Sequence, residues 1–169
     1  DDYRAHERTF QTLTQVAGRA GRGKDKGRVI IQTYNPDAFC IQYSQKQDYK
    51  LFYDTEIHLR KQLRYPPFCD IILIGVSSKS YKELEETSNK IYESLKAKIH
   101  TEKLQILLYK PVPAPIDRIK NKFRWRIIVK CIVGEPIINA IDDTVKNVGN
   151  KNTKNDTRIV VDVNPSNML

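Results

Sequence analysis

The chain has 169 residues, of which 40% are hydrophobic and 29% charged, a globular composition with enough apolar residues for a buried core. No apolar run nears the roughly 18 residues of a membrane span and the cysteines number only three, so neither a membrane-spanning chain nor a secreted disulfide scaffold is expected. Lys plus Arg outnumber Asp plus Glu by 29 to 20, and the resulting +9 points to a polyanionic partner, with nucleic acid first.

Cys40, Cys69 and Cys131 are odd in number and share no CxxC spacing, which predicts free thiols in a reduced, cytoplasmic compartment. His6, His58 and His100 are equally scattered, so no metal site is expected in this chain. Residue 1 is Asp and the only methionine is Met168, so the chain reads as the C-terminal piece of a longer protein.

In chain order, Phe10, Leu13, Val16 and Ala17 recur at helical spacing and predict a helix from about Tyr3 to Ala20, capped by Gly21 and Gly23. Arg28 to Tyr34 (RVIIQTY) is rich in β-branched residues and predicts a buried strand, stopped at Asn35-Pro36. Pro36 suits the first turn of the next helix. From Gln47 to Leu63 a helical face carries Tyr49, Phe52, Tyr53, Ile57 and Leu63, with Glu56 and Arg60 spaced to pair on its surface. Tyr65-Pro66-Pro67-Phe68 ends that helix and marks the expected domain boundary, giving domains 1–64 and 65–169.

Beyond it, strand (Asp70–Ser77), helix (Ser80–Lys98) and strand (Leu104–Tyr109) are followed by a proline-rich loop (Lys110–Pro115). A strand (Lys122–Cys131), a helix (Pro136–Val148) and a strand (Arg158–Val163) complete the pattern. Two such βαβ units in about 100 residues predict a split-βαβ domain, an α+β arrangement with both helices on one face of a small sheet.

Gln15-x-x-Gly18-Arg19-x-Gly21-Arg22 is the first motif with chemistry. Two arginines three apart at a helix end, among glycines that let a ligand approach the backbone, can converge on one phosphate. The planar, always charged guanidinium donates two bonds at once. Alone, the arginines would only complement the helix dipole; the complete string is more specific. Gly18-x-x-x-x-Gly23-Lys24 has the spacing of a phosphate-binding loop, but Asp25 stands where Ser or Thr should hold Mg²⁺, and the run follows a helix rather than a strand. The chain by itself is therefore expected not to hydrolyse ATP.

The second motif is a basic strand. Between Lys110 and Lys130 lie Arg118, Lys120, Lys122, Arg124 and Arg126, against one Asp117. Alternation places Lys122, Arg124, Arg126 and Lys130 on one face and Phe123, Trp125, Ile127 and Val129 on the other. Such a face could follow a phosphate backbone, which positions DNA without reading its bases. The alternative is the solvated side of an antiparallel sheet, which needs no DNA. Trp125 lies on the core face.

The string at Gln15–Arg22 resembles motif VI of superfamily 2 helicases. Arg4-Ala5-x-Glu7-Arg8-Thr9-Phe10-Gln11, Gly27-x-Val29-Ile30-Ile31-Gln32-Thr33-Tyr34-Asn35-Pro36, Asp48-Tyr49-x-x-Phe52-Tyr53-x-x-Glu56 and Tyr65-Pro66-Pro67-Phe68 narrow the likeness. So do Pro113-Ala114-Pro115, Phe123-Arg124-Trp125-Arg126 and Val161-Asp162-Val163-Asn164-Pro165. Together they resemble the replication-restart helicases of the PriA family (primosomal protein N′).

The resemblance implies an ATP-driven 3′–5′ DNA helicase that recognises stalled forks and assembles the primosome. Residues 1–64 would then be the end of a RecA-like lobe, and 65–169 a DNA-binding domain that resembles a ribosomal small-subunit protein. Arg22 would be the finger at the γ-phosphate, with Arg19 and Gln15 beside it and Gly18 and Gly21 giving the nucleotide room. ATP, Mg²⁺ and zinc would be held outside this chain. Forked and single-stranded DNA, single-stranded-DNA-binding protein, primosome proteins and the helicase-loading machinery are the implied partners. The bacterial nucleoid is the implied location. Val133-Gly134-Glu135 is less basic than in relatives, and Asn164 stands where the family commonly has Asp. A stand-alone nucleic-acid-binding module is the alternative, but such a module has no use for a γ-phosphate sensor.

Overall fold

The computed structural model describes residues 2–20, 28–149 and 156–168. The chain forms two compact units, Asp1–Leu63 and Arg64–Leu169.

In the first unit the described residues form three helices, α1 (Ala5–Ala20), α2 (Phe39–Lys46) and α3 (Tyr49–Gln62). Phe10, Cys40, Ile41 and Phe52 make its core, and the Phe10 and Phe52 rings stack at 4.2 Å. Asp48 caps α3 by accepting from the Leu51 amide at 3.0 Å. The strand expected over Arg28–Tyr34 is absent. That run is irregular and unpaired among the described residues, with Ile30 and Tyr34 exposed. A strand needs a neighbour for its ladder, and none of the described residues supplies one. Pro36 sits in a turn, and α2 starts only at Phe39. Of the expected α3 face, Phe52 is buried while Tyr49, Tyr53 and Leu63 stay exposed. The Gly21 and Gly23 caps lie outside the described residues.

The second unit is mixed helix and antiparallel sheet: β1 (Asp70–Ser78), α4 (Tyr81–Thr101), β2 (Ile106–Leu108), β3 (Val112–Ile119), β4 (Lys122–Cys131), α5 (Glu135–Gly149) and β5 (Arg158–Val163). The sheet runs β2-β4-β1-β5, with β3 also along β4, and every pairing is antiparallel. This is the split-βαβ order with one strand added. Ser80 caps α4. Leu84, Ile91 and Leu95 of α4 join Ile137, Ile141 and Val148 of α5 over Ile72, Ile74, Val76, Ile127 and Val129, so both helices cover one face.

The added strand corrects the loop expected over Lys110–Pro115. Pro113 and Pro115 lack the N–H of a central strand, but β3 pairs on one side only, and an edge strand tolerates that loss. A two-residue turn joins β3 to β4, and Lys120 (φ 48°) and Asn121 (φ 60°) both take the positive φ that such a hairpin turn requires.

Asn164 closes β5. Its Oδ1 accepts from the Ile71 amide at 3.0 Å, its Nδ2 donates to Asp70 at 2.8 Å, and its own φ is 52°. The bond that Asp70 accepts from the Val133 amide, followed by that from Asn164, holds its carboxyl below the usual aspartate range. A depressed folded-state pKa stabilises the fold above the unfolded value near 3.8 and stops doing so as pH falls through the folded value. Asp70→Asn is therefore expected to lower the urea midpoint at neutral pH, and the gap to the unmodified chain should close below pH 3.8. A gap that is constant with pH would rule this out.

Candidate nucleic-acid interface

The basic residues of the second unit do not share one surface. Arg118 pairs with Phe123 across β3 and β4 on the helix side of the sheet, its guanidinium 5.1 Å from the Phe123 ring. Lys120 is exposed at the hairpin tip. Lys122, Arg124, Arg126 and Lys130 do lie on the open face, as alternation requires, yet only part of that row reaches solvent.

Lys122 bonds Asp156 at 2.9 Å, and Lys79 reaches the same carboxylate at 3.3 Å. The hydrogen bonds from Lys122 and then Lys79 keep the Asp156 carboxyl below its usual range. Arg124 is half-buried and donates to the Ile116 carbonyl at 3.3 Å. Arg126 and Lys130 are each 7% exposed, which corrects the expectation of a wholly solvated row. The Arg126 Nη1 donates to the Met168 carbonyl at 2.6 Å. Lys130 Nζ lies 3.6 Å from the Tyr65 ring centroid and 5.5 Å from that of Tyr109, a cation–π cage. Burial lowers the pKa of both cations.

These partners were not legible beforehand. Met168, Tyr65 and Asp156 are remote in sequence from β4, and no periodicity links them to it. Trp125 packs against the core, edge-on to Tyr81 at 5.9 Å, as its place on the strand predicts. Three thiols are free, and burial pushes that of Cys131 up to about 11. No described helix is long and apolar enough to cross a membrane.

The nucleotide-directed candidates of the first unit sit at the end of α1. Gln15 and Arg19 are both exposed and one turn apart, so they share a side of the helix. A Cβ added at Gly18 would meet nothing within 4 Å among the described residues. Gly21 and Arg22 lie outside the described residues. A cleft of about 660 Å³ between α1 and α3 is lined by Gln15, Gln11, Thr14, Tyr53 and Ile57 among others. One wall is held by an ion network buried at its centre, Glu56 and Arg60, and open at its edge: Arg60 bonds Glu56 at 2.8 Å and Glu7 at 2.9 Å, and His6 lies 3.3 Å from Glu56. The Glu56–Arg60 pair thus forms at its expected spacing, but in the interior rather than on the surface.

The second unit therefore defines a class: a split-βαβ domain whose central strand carries a row of cations. The C-terminal domain of primosomal protein N matches residues 61–166 of this chain. The replication restart protein PriA of Bacillus subtilis (strain 168) is 33% identical over 168 residues, 99% of this chain and 20% of the relative. That of Synechocystis sp. is 43% identical over 129 residues, 76% of this chain and 15% of the relative. That of Borreliella burgdorferi is 39% identical over 148 residues, covering 86% and 22%. The chain belongs to the PriA family. It spans about a fifth of the length of these curated relatives.

Proposed function

We propose that the chain is the C-terminal part of an ATP-dependent 3′–5′ DNA helicase that recognises stalled replication forks and restarts replication by assembling the primosome. The match of the family's C-terminal domain to residues 61–166 carries this reading, and the string Gln15–Arg22 supports it. ATP and Mg²⁺, bound elsewhere in the whole protein, supply the phosphoryl chemistry. Arg22, with Arg19 and Gln15 beside it, places positive charge toward the γ-phosphate, and Gly18 and Gly21 give it access. Zinc belongs to another part of the whole protein. Among the described residues no group of three or more His, Cys, Asp or Glu side chains gathers to hold a metal.

In this reading the second unit binds DNA through Lys120 and Arg118, which are exposed, and through Lys122, Arg124, Arg126 and Lys130 on the open face. Single-stranded-DNA-binding protein, primosome proteins and the helicase-loading machinery are its partners, in the cytoplasm at the nucleoid.

Titrating the chain with a three-way fork, a plain duplex and a single strand at several salt concentrations tests the DNA-binding role. Preference for the fork is expected, with a slope of log affinity against log salt of about −0.9 per neutralised phosphate. Lys120→Gln should weaken binding uniformly across sequences and reduce the slope by about 1. Equal or absent binding to all three would overturn the role.

A further inference from the structure

The open face of the sheet carries a groove of about 230 Å³, bordered by Gly75, Ser77, Arg124, Arg126, Val160 and Asn167. Arg126 is the unusual member. It is a cation only 7% exposed, and among the described residues no carboxylate pairs with it. Its one described bond goes to the neutral Met168 carbonyl, and its buried Nε has no partner. A desolvated guanidinium with five donors calls for an anion, and a single carbonyl supplies none of the missing charge. The segment that brings this carbonyl, residues 164–168, turns at Asn164 and anchors itself through buried Pro165 and Met168.

We propose that the groove is a phosphate seat for a nucleic-acid strand, built on Arg126 and Arg124, and that residues 164–168 occupy it in the closed state, the Met168 carbonyl standing where a phosphate oxygen binds. Arg124 and Arg126 are two residues apart on β4, about 6.8 Å, a distance that spans neighbouring phosphates of an extended single strand. The Ser77 hydroxyl is a neutral donor on the wall. Asp162 also lines the groove; its charge repels a phosphate from the β5 side and leaves the β4 side as the seat. The net charge of +9 favours a polyanion over a single carboxylate. The seat rests on the DNA-binding role proposed above, and adds to it that the site is masked by the chain's own segment.

The test compares the whole chain with one ending at Pro165, each with and without Arg126→Met, binding a short oligothymidylate across a salt series. The shortened chain is expected to bind more tightly, with a salt slope steeper by about 0.7 for each phosphate newly engaged. Arg126→Met should remove that gain in the shortened chain and have a clearly smaller effect in the whole chain. Met168→Gly keeps the length, loosens the same anchor, and should shift affinity in the same direction; it serves if the shortened chain misfolds. Unchanged affinity on shortening and in Met168→Gly would overturn the seat alone, as would an equal effect of Arg126→Met in both backgrounds. Failure of every chain to bind any DNA would overturn the DNA-binding role with it.

Discussion

Arg22→Ala in the full-length protein is expected to reduce ATP hydrolysis by about 10³-fold or more while fork binding stays close to normal. Phosphoryl transfer spreads charge over the γ-phosphate oxygens, and a guanidinium held against them stabilises the transition state far more than the ground state. The loss falls on kcat because the contact strengthens in the transition state, and fork binding is kept because the DNA-binding unit is untouched. Arg22→Lys should recover little, since an ammonium cannot donate the paired, planar bonds of arginine. Arg19→Ala should have the smaller effect, as a flanking contact rather than the finger. Steady-state ATPase assays with saturating DNA, paired with fork titrations, separate the two activities. Retained hydrolysis in Arg22→Ala would remove the finger assignment and leave the chain as a DNA-binding module.

The second large effect concerns what holds α1, the helix that leads into Arg22. Glu56 is 7% exposed and accepts from Arg60 at 2.8 Å, with His6 3.3 Å away, while Arg60 also reaches Glu7 on α1. Arg60 thus ties α3 to α1. Glu56→Leu keeps the volume but removes the acceptor, leaving a largely buried guanidinium with Glu7 and the Tyr3 ring beside it. Because Glu7 still holds the guanidinium, losing this one acceptor is expected to cost about 1–2 kcal/mol. Helical circular dichroism during urea unfolding would register it, and a double-mutant cycle with Arg60→Ala should return a coupling above about 0.5 kcal/mol. A loss smaller than that would mean the network is only a solvated surface feature.

Much of the second unit was legible because its periodicities are local. Ile72, Ile74 and Val76 alternate with period two, and Leu84, Ile91 and Leu95 recur at helical spacing. Both patterns survive folding because each buries its own face in the shared core. The proline-rich stretch misled because proline argues against a strand only where both edges must pair, and among the described residues β3 has one neighbour. The Arg28–Tyr34 run misled for the opposite reason. Its composition favours a strand, but a strand is made by its neighbours, and none of the described residues pairs with it.

The candidate site divides in the same way. The motif strings carried the resemblance to the family, and periodicity by itself determined the split-βαβ class and which cations line β4, since strand alternation follows from backbone geometry alone. Only the tertiary structure decided which of those cations are free to meet a ligand. Asp156 returns to Lys122, Tyr65 and Tyr109 close around Lys130, and Met168 reaches Arg126 across the open face. Each is a long-range contact whose formation depends on the whole chain's packing, and burial together with partners, rather than residue type, sets what a charge can do.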